Sequence, residues 1–285
     1  MSAGRLTRAR SKRGQSAGEA LSGSQALSVA WTPQVISLPD EDDWEPTVDR
    51  ILLDGPVVGR APYYFAKRLI DIVLVLAAAP IVVPIVVLLG LLVRWDSPGP
   101  AIFTQQRLGA RWIRRGGAWA WELRPFTFYK LRTMEHEADP TLHRTYLDAY
   151  IAGDDEAMGL VNSGAPEGSY KIAEDPRVTR VGAKLRLLSL DELPQLWNVL
   201  KGDMSLVGPR PAIDYEVARY SPPQLQRLAG PAGLTGAWQV NGRSTLTFQE
   251  MVDLDTSYLS RRSLLLDLTI VARTVIVVVK RNGAG

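Results

Sequence analysis

Between Ile72 and Val93 the chain carries no charged side chain, only Ile, Val, Leu, Ala, Gly and two prolines. Helical throughout, that run would reach about 33 Å, enough to cross the hydrocarbon core of a bilayer. Two features separate it from a plain span. Pro80 and Pro84 fall near its middle, where each removes a backbone donor and crowds the preceding turn. Both flanks are basic, with Lys67 and Arg68 before the run and Arg94, Arg107, Arg111, Arg114 and Arg115 after it. The positive-inside tendency places both ends in the cytoplasm. The pattern predicts a re-entrant membrane hairpin over 61–96, a helix broken near Pro84 that returns to the side it entered, in preference to a single span.

Other stretches alternate with shorter periods. Ser97-Pro98-Gly99-Pro100 is a stiff turn closing the membrane segment. Trp112, Trp119 and Trp121 lie among basic residues and read equally as an interfacial face or as a β-hairpin around Gly116-Gly117. Phe126 to Tyr129 predicts a strand running into Lys130-Leu131-Arg132-Thr133-Met134. Leu142, Tyr146, Leu147 and Tyr150 have helical spacing, within a polar insertion over 135–170 that ends in a Gly-rich loop. Val181, Leu185 and Leu188 predict a helix carrying Lys184 and Arg186, and further helices are expected over Tyr215–Tyr220 and Phe248–Tyr258. Leu264 to Val279 is strongly apolar but holds Asp267 and Arg273, so a helix lying in the membrane interface over 264–281 is expected rather than a span. Residues 1–60 hold a basic arm (Arg5, Arg8, Arg10, Lys12, Arg13) and an acidic patch from Asp40 to Asp49. They read as a disordered polar tail without a signal peptide. The fold class expected is α+β, predominantly helical, with the soluble domain over 97–285.

Composition narrows the chemistry. There is no cysteine, which excludes disulfides, thiolate zinc sites and Cys nucleophiles, and only two histidines, His136 and His143. Acid–base or nucleophilic work falls to carboxylates, Lys, Tyr or Ser. The densest polar motif is Ser189-Leu190-Asp191-Glu192-Leu193-Pro194-Gln195, followed by Asn198 and by Gly208-Pro209-Arg210-Pro211. Pro194 excludes a helix interior, and Leu193 before it is pushed from helical angles, so a helix should begin near 191–193 and stop at Gly202. Asp191 and Glu192 then sit at a helix N-terminus, where carboxylates and bound anions are both favoured. Ser189 with Glu192 also spells a capping box, which needs no chemistry, and these residues alone do not separate the two readings. The glycines from Gly230 to Gly242 with Arg243 read as a plain loop or as a phosphate contact.

Taken in order, these motifs resemble one family over residues 62–281. They are Lys67-Arg68 with Asp71, Pro84, Ser97 to Pro100, Phe103 with Gln106-Arg107, Lys130 to Met134, Asp175-Pro176-Arg177, Ser189 to Gln195, Gly202 to Pro211, Gly236 to Arg243 and Asp267. The chain is similar to the monotopic bacterial sugar transferases, the polyprenyl-phosphate phosphoglycosyl transferases. The resemblance implies a catalytic domain on the cytoplasmic face of the bacterial inner membrane. There it would transfer sugar-1-phosphate from a UDP-sugar to polyprenyl (undecaprenyl) phosphate with release of UMP, the first membrane step of exopolysaccharide synthesis. It further implies Asp191 as nucleophile, Glu192 beside it with Mg²⁺ at the pair, Arg186, Arg210 and Arg243 as phosphate-binding residues, Asp267 as a further site carboxylate, and Lys67, Arg68, Asp71 and Pro84 in the anchor. A homodimer fits the family's habit, and no nucleic-acid partner is expected.

The implied chemistry is consistent with the residues. An aspartyl intermediate splits one difficult displacement into two, and arginines with Mg²⁺ offset the charge of two phosphate-bearing substrates. Leu187 departs from the family pattern, which often has a second basic residue there, and the 135–170 insertion carries no expected function. UDP-sugar hydrolysis and a non-catalytic scaffold that binds sugar nucleotides are the competing hypotheses.

Overall fold

The computed structural model describes residues 52–53, 61–115, 118–161 and 175–280. The readings made for the rest of the polar tail, for the Gly-rich loop and for residue 281 lie outside the described residues. The centre is a long antiparallel hairpin. Strands β2 (Ile102–Arg115) and β3 (Ala118–Leu131) pair in unbroken register from Ile102↔Leu131 to Arg115↔Ala118. That leaves Gly116-Gly117 as the connection, a length and composition hairpins favour. A short strand β1 (Leu52–Leu53) lies along the other edge of β3. The hairpin reading of the tryptophans thus holds, and Trp121 is a core residue rather than an interfacial one. It faces Trp112 across the ladder, and the Tyr64 ring stands edge-on to it at 5.2 Å.

Helices α2 (Thr141–Ala152), α3 (Asp155–Val161) and α9 (Phe248–Arg261) help enclose one apolar core. The spacing that predicted α2 is the spacing it buries, with Tyr146, Leu147 and Tyr150 all inside. Much of the supposed insertion is therefore integral to the core. Helix α4 (Arg180–Leu187) and helix α5 (Gln195–Lys201) flank the other end of β3. Fully buried Asn198 serves as a strand mimic: its amide donates to the Thr127 carbonyl at 2.7 Å and accepts from the Tyr129 N–H at 3.2 Å. A buried amide paired on both sides fixes α5 against β3 in one register. Short strands β4 (Ser205–Val207) and β5 (Gly233–Thr235) pair in parallel beside it. Gly208 is dictated by this approach, since a Cβ there would lie 2.1 Å from the Pro231 carbonyl.

Helix α1 (Ala61–Asp96) runs for 36 residues with Pro80 and Pro84 inside it. The helical backbone continues through Pro84, where a break was expected, so a reversal of direction there would be a bend within the helix. Four residues apart, the two prolines delete two rungs of a long ladder, and the regular turns on either side carry the helix through. By length and composition α1 alone among the described helices could cross a membrane. Its buried residues lie toward the two ends: Tyr64, Lys67, Asp71 and Val75, then Gly90 and Val93, with Val86 and Leu89 partly buried beside the latter. Helix α10 (Leu264–Lys280) forms where predicted and leaves Leu265, Val275, Ile276 and Val279 exposed.

Candidate active site

Three consecutive motifs converge where α4 hands over to α5. Thr179 caps α4, its Oγ1 accepting from Gly182 N–H at 3.0 Å. Only glycine fits at 182, because a Cβ would fall 2.1 Å from the Thr133 carbonyl. Ser189 then adopts the left-handed conformation at φ 54°, and a 3-10 turn over Leu190–Glu192 leads into α5. No side-chain cap forms at Ser189, so the capping-box reading is overturned: with φ positive, its hydroxyl does not face the N–H groups of the turn. Leu193 and Pro194 are right-handed helical, contrary to the expectation for a residue before proline. The chain stays helical because Pro194 sits just ahead of α5, where its missing N–H has no partner to lose. Asp191 and Gln195 consequently lie one turn apart on the same buried face.

That face opens onto a cavity of about 1230 Å³, lined by Asp191, Glu192, Arg186, Arg210 and Arg243 together. Its size exceeds the roughly 300–1,000 Å³ typical of a small-ligand pocket. Arg210 Nη1 stands 3.7 Å from Glu192 Oε1. Arg186 Nε donates to Thr133 Oγ1 at 2.9 Å, and Arg243 Nη2 to Ser189 Oγ at 3.5 Å. Lys130, Arg107, Arg177, Arg132 and Lys184 also line it, giving an excess of cations over the carboxylates present. Burial, together with the neighbouring arginines, lowers the Lys130 ammonium to about 8, against the opposing pull of Asp191. Burial likewise lowers Arg186 and Arg243, opposed by Asp191 and Glu192 respectively. Glu137, Ser189 and Arg243 are the non-glycine residues with positive φ among the described residues, and all three line this cavity. Strain of that kind gathers at functional sites.

Residues 62–281 match the family described as bacterial sugar transferase. Over 223 residues the chain is 37% identical to the galactosyl transferase CpsE of Streptococcus agalactiae, an alignment of 78% of this chain and 44% of that protein. It is 35% identical over 222 residues to the exopolysaccharide production protein ExoY of Rhizobium meliloti, covering 77% of this chain and 88% of the relative. With a UDP-glucose:undecaprenyl-phosphate glucose-1-phosphate transferase of Caulobacter vibrioides it shares 38% over 233 residues, covering 79% and 73%. The chain belongs to the bacterial sugar transferase family. It spans less than half the length of CpsE.

The cavity gathers five of the six expected site residues. Asp267 is not among its lining residues. It is buried at the start of α10, where it accepts from Lys67 Nζ at 3.0 Å, from Tyr63 Oη at 2.8 Å and from Tyr258 Oη at 2.7 Å. Lys67, read from the sequence as a basic flank of the membrane segment and part of its anchor, is 4% exposed and makes this ion pair. Its neighbours extend the same clamp. Arg68 donates to the carbonyls of Val199 and Leu200 at the end of α5, and Asp71 accepts from Ser205 Oγ at 2.7 Å and Leu206 N at 3.2 Å. One turn of α1 is thus fixed to three elements of the transferase domain, which sets the depth of the cavity relative to the apolar helix.

The Lys130 to Met134 motif divides in the same way. Lys130 faces the cavity and Leu131 the core. Arg132 ties β3 to the end of α1 through Ser97 and the Pro100 carbonyl at 2.7–2.8 Å. Strand alternation could have assigned Lys130 and Arg132 to one face, but not to different partners. Sequence reasoning missed Lys130, Arg107, His143 and Gln195. Arg107 Nη1 donates to the Pro211 carbonyl at 2.9 Å, fixing the segment that presents Arg210. His143 bonds the Tyr215 hydroxyl at 2.8 Å, and burial with the nearby arginines lowers it to about 4, so it is neutral at physiological pH. Among the described residues no three of His, Asp and Glu cluster as a metal site. The adjacent Asp191 and Glu192 do suit Mg²⁺, which takes one or two carboxylates and completes its shell with water and substrate phosphate oxygens.

Proposed function

We propose that this protein transfers sugar-1-phosphate from a UDP-sugar to a polyprenyl phosphate, with Asp191 as nucleophile. The observation that carries the reading is a pair of carboxylates facing Arg186, Arg210, Arg243 and Lys130 in one cavity. The names of the CpsE and Caulobacter relatives, a galactosyl and a glucose-1-phosphate transferase, point the same way. An Asp191 Oδ attacks the phosphorus that bears the sugar, an Oδ–P bond forms, and the bond to the departing UMP breaks. An oxygen of the polyprenyl phosphate then attacks the same phosphorus, and the carboxylate leaves with the bonding pair. Arg186, Arg210 and Arg243 hold phosphate oxygens, and the Lys130 ammonium offsets charge beside Asp191. Such fixed cations act most strongly where water is scarce. Held by Asp191 and Glu192, Mg²⁺ would add positive charge at the diphosphate.

Mass spectrometry of protein quenched during turnover with UDP-sugar should find the sugar phosphate on Asp191, and Asp191→Asn should abolish UMP release. Quenched protein that is never modified would sink the nucleophile assignment. UMP or sugar phosphate release without lipid acceptor would favour hydrolysis, and binding without either product would favour a scaffold.

The membrane topology proposed is a re-entrant one, with α1 entering and returning on the cytoplasmic side of the inner membrane and α10 in the interface. Val75 packs in the cluster containing Phe128, and Val93 in that containing Leu131. A straight helix would separate these valines by about 27 Å. Phe128 and Leu131, which belong to those two clusters, are three residues apart on β3, about 10 Å. The mismatch supports a bend around Pro80 and Pro84. Single cysteines at 66 and 98 in this cysteine-free chain should both label from the cytoplasmic side; labelling from opposite sides would establish a span.

A further inference from the structure

Gln195 is the polar side chain at the end of the Ser189–Gln195 motif, and neither the fold nor the proposed chemistry supplies it a task. It is 3% exposed, lines the cavity, and its Nε2 has no hydrogen-bond partner. A buried donor left without a partner destabilises the fold, and buried amides in folded proteins are otherwise nearly all paired. An apolar side chain of the same length would fill this place at no such cost. The position of the orphan donor says what it awaits. The backbone is right-handed helical from Leu190 through α5, so Asp191 and Gln195 are stacked neighbours with Cβ atoms roughly 5–6 Å apart. A phosphoryl group bonded to an Asp191 oxygen projects its own oxygens into the space between the two side chains. The donor is a neutral amide set among cations, so it adds a directed hydrogen bond at that point without adding further charge.

We propose that Gln195 is a catalytic residue whose Nε2–H donates to a non-bridging oxygen of the phosphoryl group while that group is transferred to and from Asp191. The assignment rests on the proposed transferase reading and deepens it. No bond to Gln195 forms or breaks; it stabilises charge that builds on the phosphoryl oxygens as Asp191 attacks, and it holds the covalent phosphosugar in line for the acceptor. The arginines supply the field, and Gln195 supplies a fixed direction.

The test uses the full-length protein in detergent or nanodiscs, with UDP-sugar and polyprenyl phosphate. Gln195→Leu and Gln195→Met remove the donor at near-constant volume. Losing one preorganised donor should lower kcat by about 100-fold with little change in KM, and should slow adduct formation on Asp191 in parallel. The ligand-free variants should melt at or above the wild-type temperature, because the orphan donor is gone. A structural role predicts the reverse, a lower melting temperature with the remaining folded protein fully active. Wild-type kcat in folded Gln195→Leu would also overturn the proposal. If wild-type protein itself yields neither UMP nor adduct, the transferase reading has failed instead, so the two failures are told apart.

Discussion

Asp267 and Asp191 are both buried carboxylates with basic partners, and the protein uses them in opposite ways. Around Asp267 the oxygens are saturated by Lys67, Tyr63 and Tyr258, all fixed protein donors. Around Asp191 the charges are present but the bonds are not. Lys130 and Arg186 lie close enough to interact electrostatically with it, yet its carboxylate accepts no hydrogen bond from the described residues. Saturation makes the first a joint between the apolar helix and the transferase domain. Leaving the second unsaturated, beside Ser189 with its positive φ and a Gln195 Nε2 without a partner, keeps its oxygens open to the cavity, as the proposed role of nucleophile requires. A buried carboxylate is thus classed by its partners, not by its depth.

The contrast can be broken by mutation. The largest effect is expected at Asp191→Asn, where UMP release should fall by about 10⁴-fold or more while thermal stability holds, as for loss of a covalent nucleophile. Asp267→Ala should do the opposite. Stranding Lys67 in a buried site should cost about 3–5 kcal/mol of stability, read by thermal unfolding, and pairing it with Lys67→Met should recover much of that loss. Asp267→Ala that is fully stable yet inactive would return Asp267 to the active site. The smallest effect concerns pH. With its ammonium lowered to about 8, Lys130 loses charge in the folded protein above that pH, so kcat/KM should fall on the alkaline side near 8, and Lys130→Arg should remove that limb. Stability should move the other way. The unfolded chain binds the Lys130 proton more tightly than the folded one between about 8 and 10.5, so this contribution to stability grows as pH rises through that window and is lost as it falls. An unchanged alkaline limb in Lys130→Arg would detach Lys130 from the chemistry.

Much of the site was legible before any coordinates. Arg186, Asp191, Glu192, Arg210 and Arg243 lie in or beside local motifs where proline and glycine restrict the backbone; the residues alone left their roles open, and it was the family resemblance that pointed them to phosphate chemistry. Arg243 reads from the sequence as a plain loop residue or a phosphate contact, and only the fold brings it to the cavity that holds Asp191. Lys130 and Gln195 were visible as motif letters, but their tasks depend on what faces them from elements far along the chain. The same limit hid the partner of Lys67. A basic residue beside an apolar run reads as a membrane flank, and nothing nearby in the sequence announces a carboxylate two hundred positions away.

What the sequence by itself determined is local. The uncharged run makes α1 an apolar helix, the period of Leu142 to Tyr150 makes α2, the two glycines permit the β2–β3 hairpin, and the prolines and glycines delimit α5. Tertiary structure decided the rest: which carboxylate is saturated and which is left open, that α1 is carried through its prolines, and that the supposed insertion supplies core. Propensity and periodicity act over a few residues, whereas the character of a buried charge is set by donors and cations that only folding brings within a few ångströms.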